Sequence, residues 1–422
     1  MKKPPIYLLF ALMAMACLLI PTTGCFKDGS SAQLTHYTLH FPVYGSKAAA
    51  LAAINGNAGK KIDSVGKIYI SGSRIFISEP DKGIHVIDNS NPSSPRQIAF
   101  LSIPGNQDIA IKGNTLYVDM YADLLAIDIS DLRQVKVTTT IEGFFKGRNL
   151  VNGYASSKAG EVILDWKTKD TMVIYRTVIN PGGGICPNCG IMLYNAAASN
   201  SKDLAGSMAK MVLTNDHLFA ITERQTLGVV NLNEPSYPAI GAQIYAGFDL
   251  ETIYPIADKL FLGSATGVYI YDISNPAVPV QSGLFGHGRA CDPVVADGKY
   301  AYVTLHAGTV CGENLNELDV VNVEDLTHPA LVKSYPLTSP KGLCKDGDLL
   351  FVCDGNEGVK VFDASDPTAL KLQQQVGSGQ TAHDVIAWDK RLLIVSDKGL
   401  YQYSYANPGN IRLVSLFAAG GK

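Results

Sequence analysis

Apolar and polar positions alternate in short bursts along most of the chain, and the bursts recur. The recurring unit is an apolar run, then Asp or Asn, then Pro four residues on. It reads Gly83-Ile-His-Val-Ile-Asp88-Asn-Ser-Asn-Pro92, and again Leu124-Leu-Ala-Ile-Asp128 with Leu132 in place of Pro. Later copies centre on Asn231, Asp272, Asn322, Asp363 and Ser404, so the spacings are 40, 103, 41, 50, 41 and 41 residues. The period is about 41, with a long insertion at 146–207 and a short one at 305–318. Each unit predicts four strands: Asp108-Ile-Ala-Ile-Lys, a Gly113-Asn114 turn, Thr115 to Met120, Leu124 to Ile129, then Val135 to Ile141. Gly/Asn/Asp pairs adopt positive φ at little cost and mark hairpins. A period of 40–45 residues built of strands predicts an all-β, seven-bladed β-propeller. A count of six or eight stays open if residues 146–207 hide or break a blade. The Asp-x-x-x-Pro element is expected to be structural, turning the chain toward the outermost strand. The alternating run His36 to Pro42 is expected to add to a terminal blade and clasp the ring.

The N-terminus follows a different pattern. Lys2 and Lys3 precede an uncharged apolar run from Ile6 to Ile20, then Thr22-Thr23-Gly24-Cys25. That is the pattern of a secretory signal, and it is short for a bilayer span. The cysteine after small residues resembles a bacterial lipobox, with Thr22 where Leu is usual. Residues 1–24 therefore read as a lipoprotein signal peptide, 25–34 as the lipidated Cys25 and a tether, and 35–422 as one propeller domain. Diacyl anchoring gives stable membrane attachment. No Asp follows Cys25, so the expected location is the outer membrane, with the leaflet open. Ordinary cleavage near Gly24 is the alternative.

Composition narrows the function classes. The chain is 46% hydrophobic and 17% charged, with 35 bases against 38 acids, so neither disorder nor a nucleic-acid face is implied. No phosphate loop, nucleophile elbow or His-Glu-x-x-His occurs.

The segments Gly66-Lys-Ile-Tyr-Ile-Ser-Gly, Gly83 to Pro92, Phe100-Leu-Ser-Ile-Pro-Gly and Leu116 to Ser130, with the cores Leu-Ala-Ile-Asp, Val-Tyr-Ile-Tyr-Asp and Val-Lys-Val-Phe-Asp, resemble proteins with LVIVD repeats. The resemblance spans roughly residues 61–420. It implies a propeller, often in bacterial lipoproteins and often from Bacteroidetes. It carries over no reaction and no catalytic residue.

Candidate chemistry gathers on one face, where the blade-to-blade loops and the loops between second and third strands meet. Polar residues before the first strands are Asp108, Glu251, Asp292 and the pair His383-Asp384, with His287 and Arg289 just ahead of the fifth blade and His306 in its loop. Convergent acids and histidines can bind a ligand or a divalent cation, or act as acid and base. A wet channel also needs polar side chains, and Lys67, Lys210 and Lys341 near the same ring argue against a dedicated metal cluster. No cofactor is implied. Six cysteines besides Cys17 and Cys25 predict three local bridges, Cys186–Cys189, Cys291–Cys311 and Cys344–Cys353. Metal or redox roles stay open for the Cys186-Pro-Asn-Cys189 pair. Trp166, Tyr154 and Tyr175 either stack on ligands or pack the insertion's own core. The reading is a non-enzymatic scaffold that binds a partner protein or extracellular ligand through this face. The alternatives are a hydrolase or lyase using His383, Asp384 and Asp292, and an accessory subunit of an outer-membrane uptake complex.

Overall fold

The repeat's turn chemistry is visible in every sheet. In the computed structural model, which describes residues 32–57, 59–176, 209–214, 216–288, 293–307 and 315–419, the Asp or Asn ending each third strand closes an Asx turn. Asp88 accepts from the Ser90 N–H, Asp128 from Ser130, Asn231 from Asn233, Asp272 from Ser274, Asn322 from Glu324 and Asp363 from Ser365. In six of the seven units a second such turn follows three residues on, as at Asn275 and Asp366. This is the structural role expected of the motif. The glycine opening many third strands has an equally local cause. At Gly83 and Gly399 φ is +145° and +130°, and an added Cβ would stand 2.0 and 2.2 Å from an outer-strand carbonyl oxygen.

The turns separate seven successive antiparallel sheets among the described residues, each built on a four-strand meander, to which the first adds a fifth strand. First strands are Ile68–Ser71, Ile109–Lys112, Met211–Thr214, Leu250–Ile256, Val294–Ala296, Pro340–Asp346 and Ala382–Trp388. Outer strands are Arg96–Ser102, Lys136–Ile141, Ala239–Tyr245, Val280–Gly286, Ala330–Pro336, Lys371–Val376 and Arg412–Ala418. Second and third strands are buried on both faces, whereas outer strands alternate or are largely exposed. Stacked sheets demand this, because each inner strand has a neighbour on either side.

The core is divided into interfaces between neighbours. One apolar cluster joins each consecutive pair of sheets, and a further one joins the last sheet to the first through Ile68, Ile75, Ile77, Leu393, Val395 and Leu400. The same junction carries a reciprocal amide pair. Asn89 Nδ2 donates to Gln402 Oε1 at 3.1 Å, and Gln402 Nε2 donates to Asn89 Oδ1 at 2.7 Å, both residues being buried. The ring is thus closed by side-chain packing. The expected clasp takes another form: Ala32–Ser46 is one long strand beside Glu161–Arg176, and the first sheet's fifth strand is Gly56–Asn57, paired with Phe100 and Leu101.

The chain divides into two compact units, residues 1–40 with 168–193 and residues 41–167 with 194–422. In the smaller unit, Thr38 Oγ1 donates to Asp170 Oδ1 at 2.7 Å. Residues 1–24 and Cys25 lie outside the described residues. Among those described, no helix is long and apolar enough to cross a membrane.

The repeat aspartates make acid stability predictable. Hydrogen bonds from Ser274, with Lys259, hold Asp272 down to about 2, and Asp88, Asp128 and Asp363 are lowered for the same reason. A depressed carboxylate contributes stability above its unfolded pKa of about 3.9 and loses it as pH falls toward the folded value. The thermal midpoint should therefore drop between about pH 4 and pH 2. Changing these four residues to Asn, which already serves at 231 and 322, should flatten that limb. An unchanged slope would contradict the assignment.

Candidate functional site

The hairpin registers align the seven first strands. Ile68, Ile109, Met211, Ile253, Val294, Leu343 and Val385 pair with equivalent second-strand residues, Ile77, Val118, Ala220, Leu262, Val303, Val352 and Ile394. The preceding position therefore forms an upper ring: Lys67, Asp108, Lys210, Thr252, Pro293, Gly342 and Asp384. Two residues further on, the same strand face carries a lower ring: Tyr69, Ala110, Val212, Tyr254, Val295, Cys344 and Ile386. A cavity of about 300 Å³ opens at the lower ring, lined by its members from the third to the seventh sheet. Its lining is mostly apolar, with Lys345 among it.

The upper ring is tied together electrostatically. Asp108 Oδ2 accepts from Lys67 Nζ at 2.6 Å and from the backbone N–H groups of Lys210 and Met211 at 2.6 and 3.1 Å. Three consecutive sheets therefore meet on one carboxylate oxygen. Asp119 accepts from the Gln107 and Asp108 N–H groups and from Asn106, and pairs with Arg148. Burial pushes the Asp119 carboxyl up and Arg148 opposes that shift. Enclosure, with Lys67 close by, pushes the Lys210 ammonium down, while Glu251 and Asp108 act the other way. On the far side, His383 lies 3.2 Å from Lys341 Nζ through Nδ1 and 2.7 Å from Asp397 Oδ1 through Nε2.

Of the residues singled out from sequence, Asp108 and Asp384 fall in the upper ring, and Glu251 and His383 each stand one residue before a ring position. His287 follows the fourth outer strand, its Nδ1 2.6 Å from the Gly288 carbonyl and its ring 6.3 Å from Phe285. His306 is half-buried just after a second strand. Arg289, Asp292, Cys186, Cys189, Cys291 and Cys311 lie outside the described residues, so the convergence of His383, Asp384 and Asp292 is not described. Among the described residues no group of three His, Cys, Asp or Glu could hold a metal ion.

The Cys344–Cys353 bridge is corrected: both are free thiols. Cys344 faces Phe351 and Leu343 faces Val352, and the register slips between Pro340 and Leu343. The two cysteines are therefore diagonal, with Cβ atoms roughly 7 Å apart where a bridge needs about 3.5–4.5 Å. Burial and the nearby Asp384 push both thiols well up.

Sequence reasoning missed Asp119 and Arg148. The signal for the first was a lone carboxylate in an apolar strand, which demands a partner. Its partner lies in the insertion and is set by tertiary packing.

That insertion builds a platform on the second sheet. Its small core comprises Ala50, Tyr121, Val162 and Ile163, with Tyr44, Val151 and Trp166 packed against them. Trp166 meets the exposed Tyr154 edge-on at 6.1 Å, and the side chain of Tyr175 lies outside those described. Lys47 Nζ pins the platform to Asp123 at 2.7 Å, and Arg148 reaches the Gly105 carbonyl at 2.8 Å. Outward, it exposes Phe41, Leu150, Tyr154 and Leu164, Leu150 at 66%.

Radial sheets with inner first strands and ring-closing packing define a β-propeller. Fold comparison agrees at low identity. Sqt1 of Saccharomyces cerevisiae matches at 12% identity and TM-score 0.51, covering 87% of this chain and 90% of its own. A Lactobacillus plantarum protein matches at 13% and 0.50, over 82% and 97%. The computationally designed Ika8 protein matches at 10% and 0.51, over 85% and 88%. These likenesses concern the fold alone. Within that class, the chain carries LVIVD repeats, matched at residues 64–99, 105–135, 287–336 and 345–377. The matches fall on the first, second, fifth and sixth sheets. No curated protein sequence matches.

Proposed function

We propose that the chain is a lipid-anchored propeller scaffold, held at the outer membrane through Cys25, that docks a protein partner on the platform of its second sheet. The observation that supports this most is the apolar and aromatic surface left exposed on a well-braced insertion. Its root is fixed by Lys47 and Arg148, yet Leu150, Leu164 and Phe41 face outward. A rigid apolar surface of this kind is a characteristic interaction feature.

The test is affinity capture from detergent-solubilised membranes of the source cells. The unaltered chain should retain a partner that Leu150→Asp/Leu164→Asp loses by about tenfold or more, with thermal midpoints matched. Capture unaffected by the double change would remove the platform from the account. In the same cells, Cys25→Ala should move the chain out of the membrane fraction; retention there would contradict the anchor.

A further inference from the structure

The cavity at the lower ring has no charge to spare. Of the residues that line it, Lys345 alone is charged, and its Nζ is engaged: it lies 3.0 Å from Asp297 Oδ2 and donates to the Gly347 carbonyl at 2.6 Å. Among the described residues no carboxylate lines the cavity. Burial, with Asp384 nearby, pushes the Cys344 thiol well up, so that group is neutral as well. An ion entering the chamber would leave water without gaining a counter-charge.

One polar group is left over. Tyr69 and Tyr254 occupy the same register on the first strands of the first and fourth sheets. Tyr69 donates to the Ile111 carbonyl at 3.0 Å, and the buried Tyr117, Tyr302 and Tyr405 each find a partner too. Tyr254 lines the cavity, and among the described residues its hydroxyl has no hydrogen-bond partner. Burial, with Cys344 and Asp297 nearby, pushes the Tyr254 phenol up, so it stands as an O–H donor. Volume sets the size of what could reach it. An apolar cavity of about 150 Å³ holds benzene, and this one, at about 300 Å³, has room for roughly two fused rings.

We infer that the channel binds a neutral, apolar small molecule of two-ring size carrying one hydrogen-bond acceptor, its body among Val212, Val295, Cys344 and Ile386 and its acceptor on the Tyr254 hydroxyl. The apolar body supplies affinity by leaving water, and the single hydroxyl fixes orientation. An anion would have to draw Lys345 away from Asp297, and a cation would meet that lysine. The site is built on the first strands and stands independently of the docking platform.

The experiment is equilibrium dialysis of the purified chain with acetylnaphthalene, naphthalene, which has no acceptor, and naphthoate, which is charged. Acetylnaphthalene should bind saturably, and naphthoate about tenfold more weakly or worse. Tyr254→Phe should weaken the ketone by about threefold to tenfold and leave naphthalene unchanged. Val212→Trp, which fills the chamber, should abolish binding of both. Cys344 reports the location: the bound ketone should slow its alkylation by N-ethylmaleimide, read by peptide mapping with buried Cys353 as internal reference. No saturable binding of the ketone, naphthoate binding as tightly, equal effects of Tyr254→Phe on ketone and naphthalene, or an unprotected Cys344 would each overturn the inference. If Val212→Trp fails to fold, Tyr254→Phe and Cys344 protection still decide it.

Discussion

Asp108→Ala should destabilise the chain by about 3–5 kcal/mol, the usual consequence of stripping one partner from a buried ion pair. The Lys67 and Asp108 side chains are each 8% exposed. Removing the carboxylate strands the Lys67 ammonium, and it also orphans the backbone N–H groups of Ile109, Lys210 and Met211. These groups belong to the second and third sheets, and Lys67 to the first, so one substitution should loosen three sheets. Urea unfolding measures the loss. Adding Lys67→Met should recover part of it, because the stranded charge goes while the orphaned amides remain. A loss under about 1 kcal/mol for the single change would mean that the mouth is wet enough to solvate the pair.

Leu393→Ala should cost about 2–5 kcal/mol through the cavity it leaves. Leu393 is fully buried among Ile68, Ile75, Ile77 and Leu400, where the last sheet meets the first. The account places ring closure in this packing, so amide exchange should accelerate first in those two sheets. Leu413→Ala, on an outer strand and 52% exposed, is the control and should stay within about 0.5 kcal/mol. Equal effects of the two changes would indicate that the first and last sheets do not pack together.

What the sequence made legible was local. The Asx turn at Asp88 and its counterparts needs only the side chain and the amide two residues on. The glycine at 83 answers to one nearby carbonyl. These interactions recur at each repeat, so their spacing carries through the chain. The position just ahead of the first strands likewise singled out Asp108 and Asp384, which the hairpin registers align. What stayed hidden depended on distant partners. Ala32–Ser46 lies beside Glu161–Arg176, more than a hundred residues away, and no turn signal announces that pairing. Arg148 finds Asp119 through the insertion's fold. The cysteine pair turns on the hairpin's register: Cys344 faces Phe351, so Cys353 stands two residues along and diagonal to it, an offset that residue types alone do not encode.

The closed ring is tested most directly at its junction. Asn89 and Gln402 are 313 residues apart in sequence, yet their amides exchange hydrogen bonds. In an Asn89→Cys/Gln402→Cys chain treated with dibromobimane, peptide mapping should find a link between positions 89 and 402 at the monomer's mass. Its yield should not change on dilution. A link found only between separate chains, or none in a protein that keeps its thermal midpoint, would show that the first and last sheets do not meet.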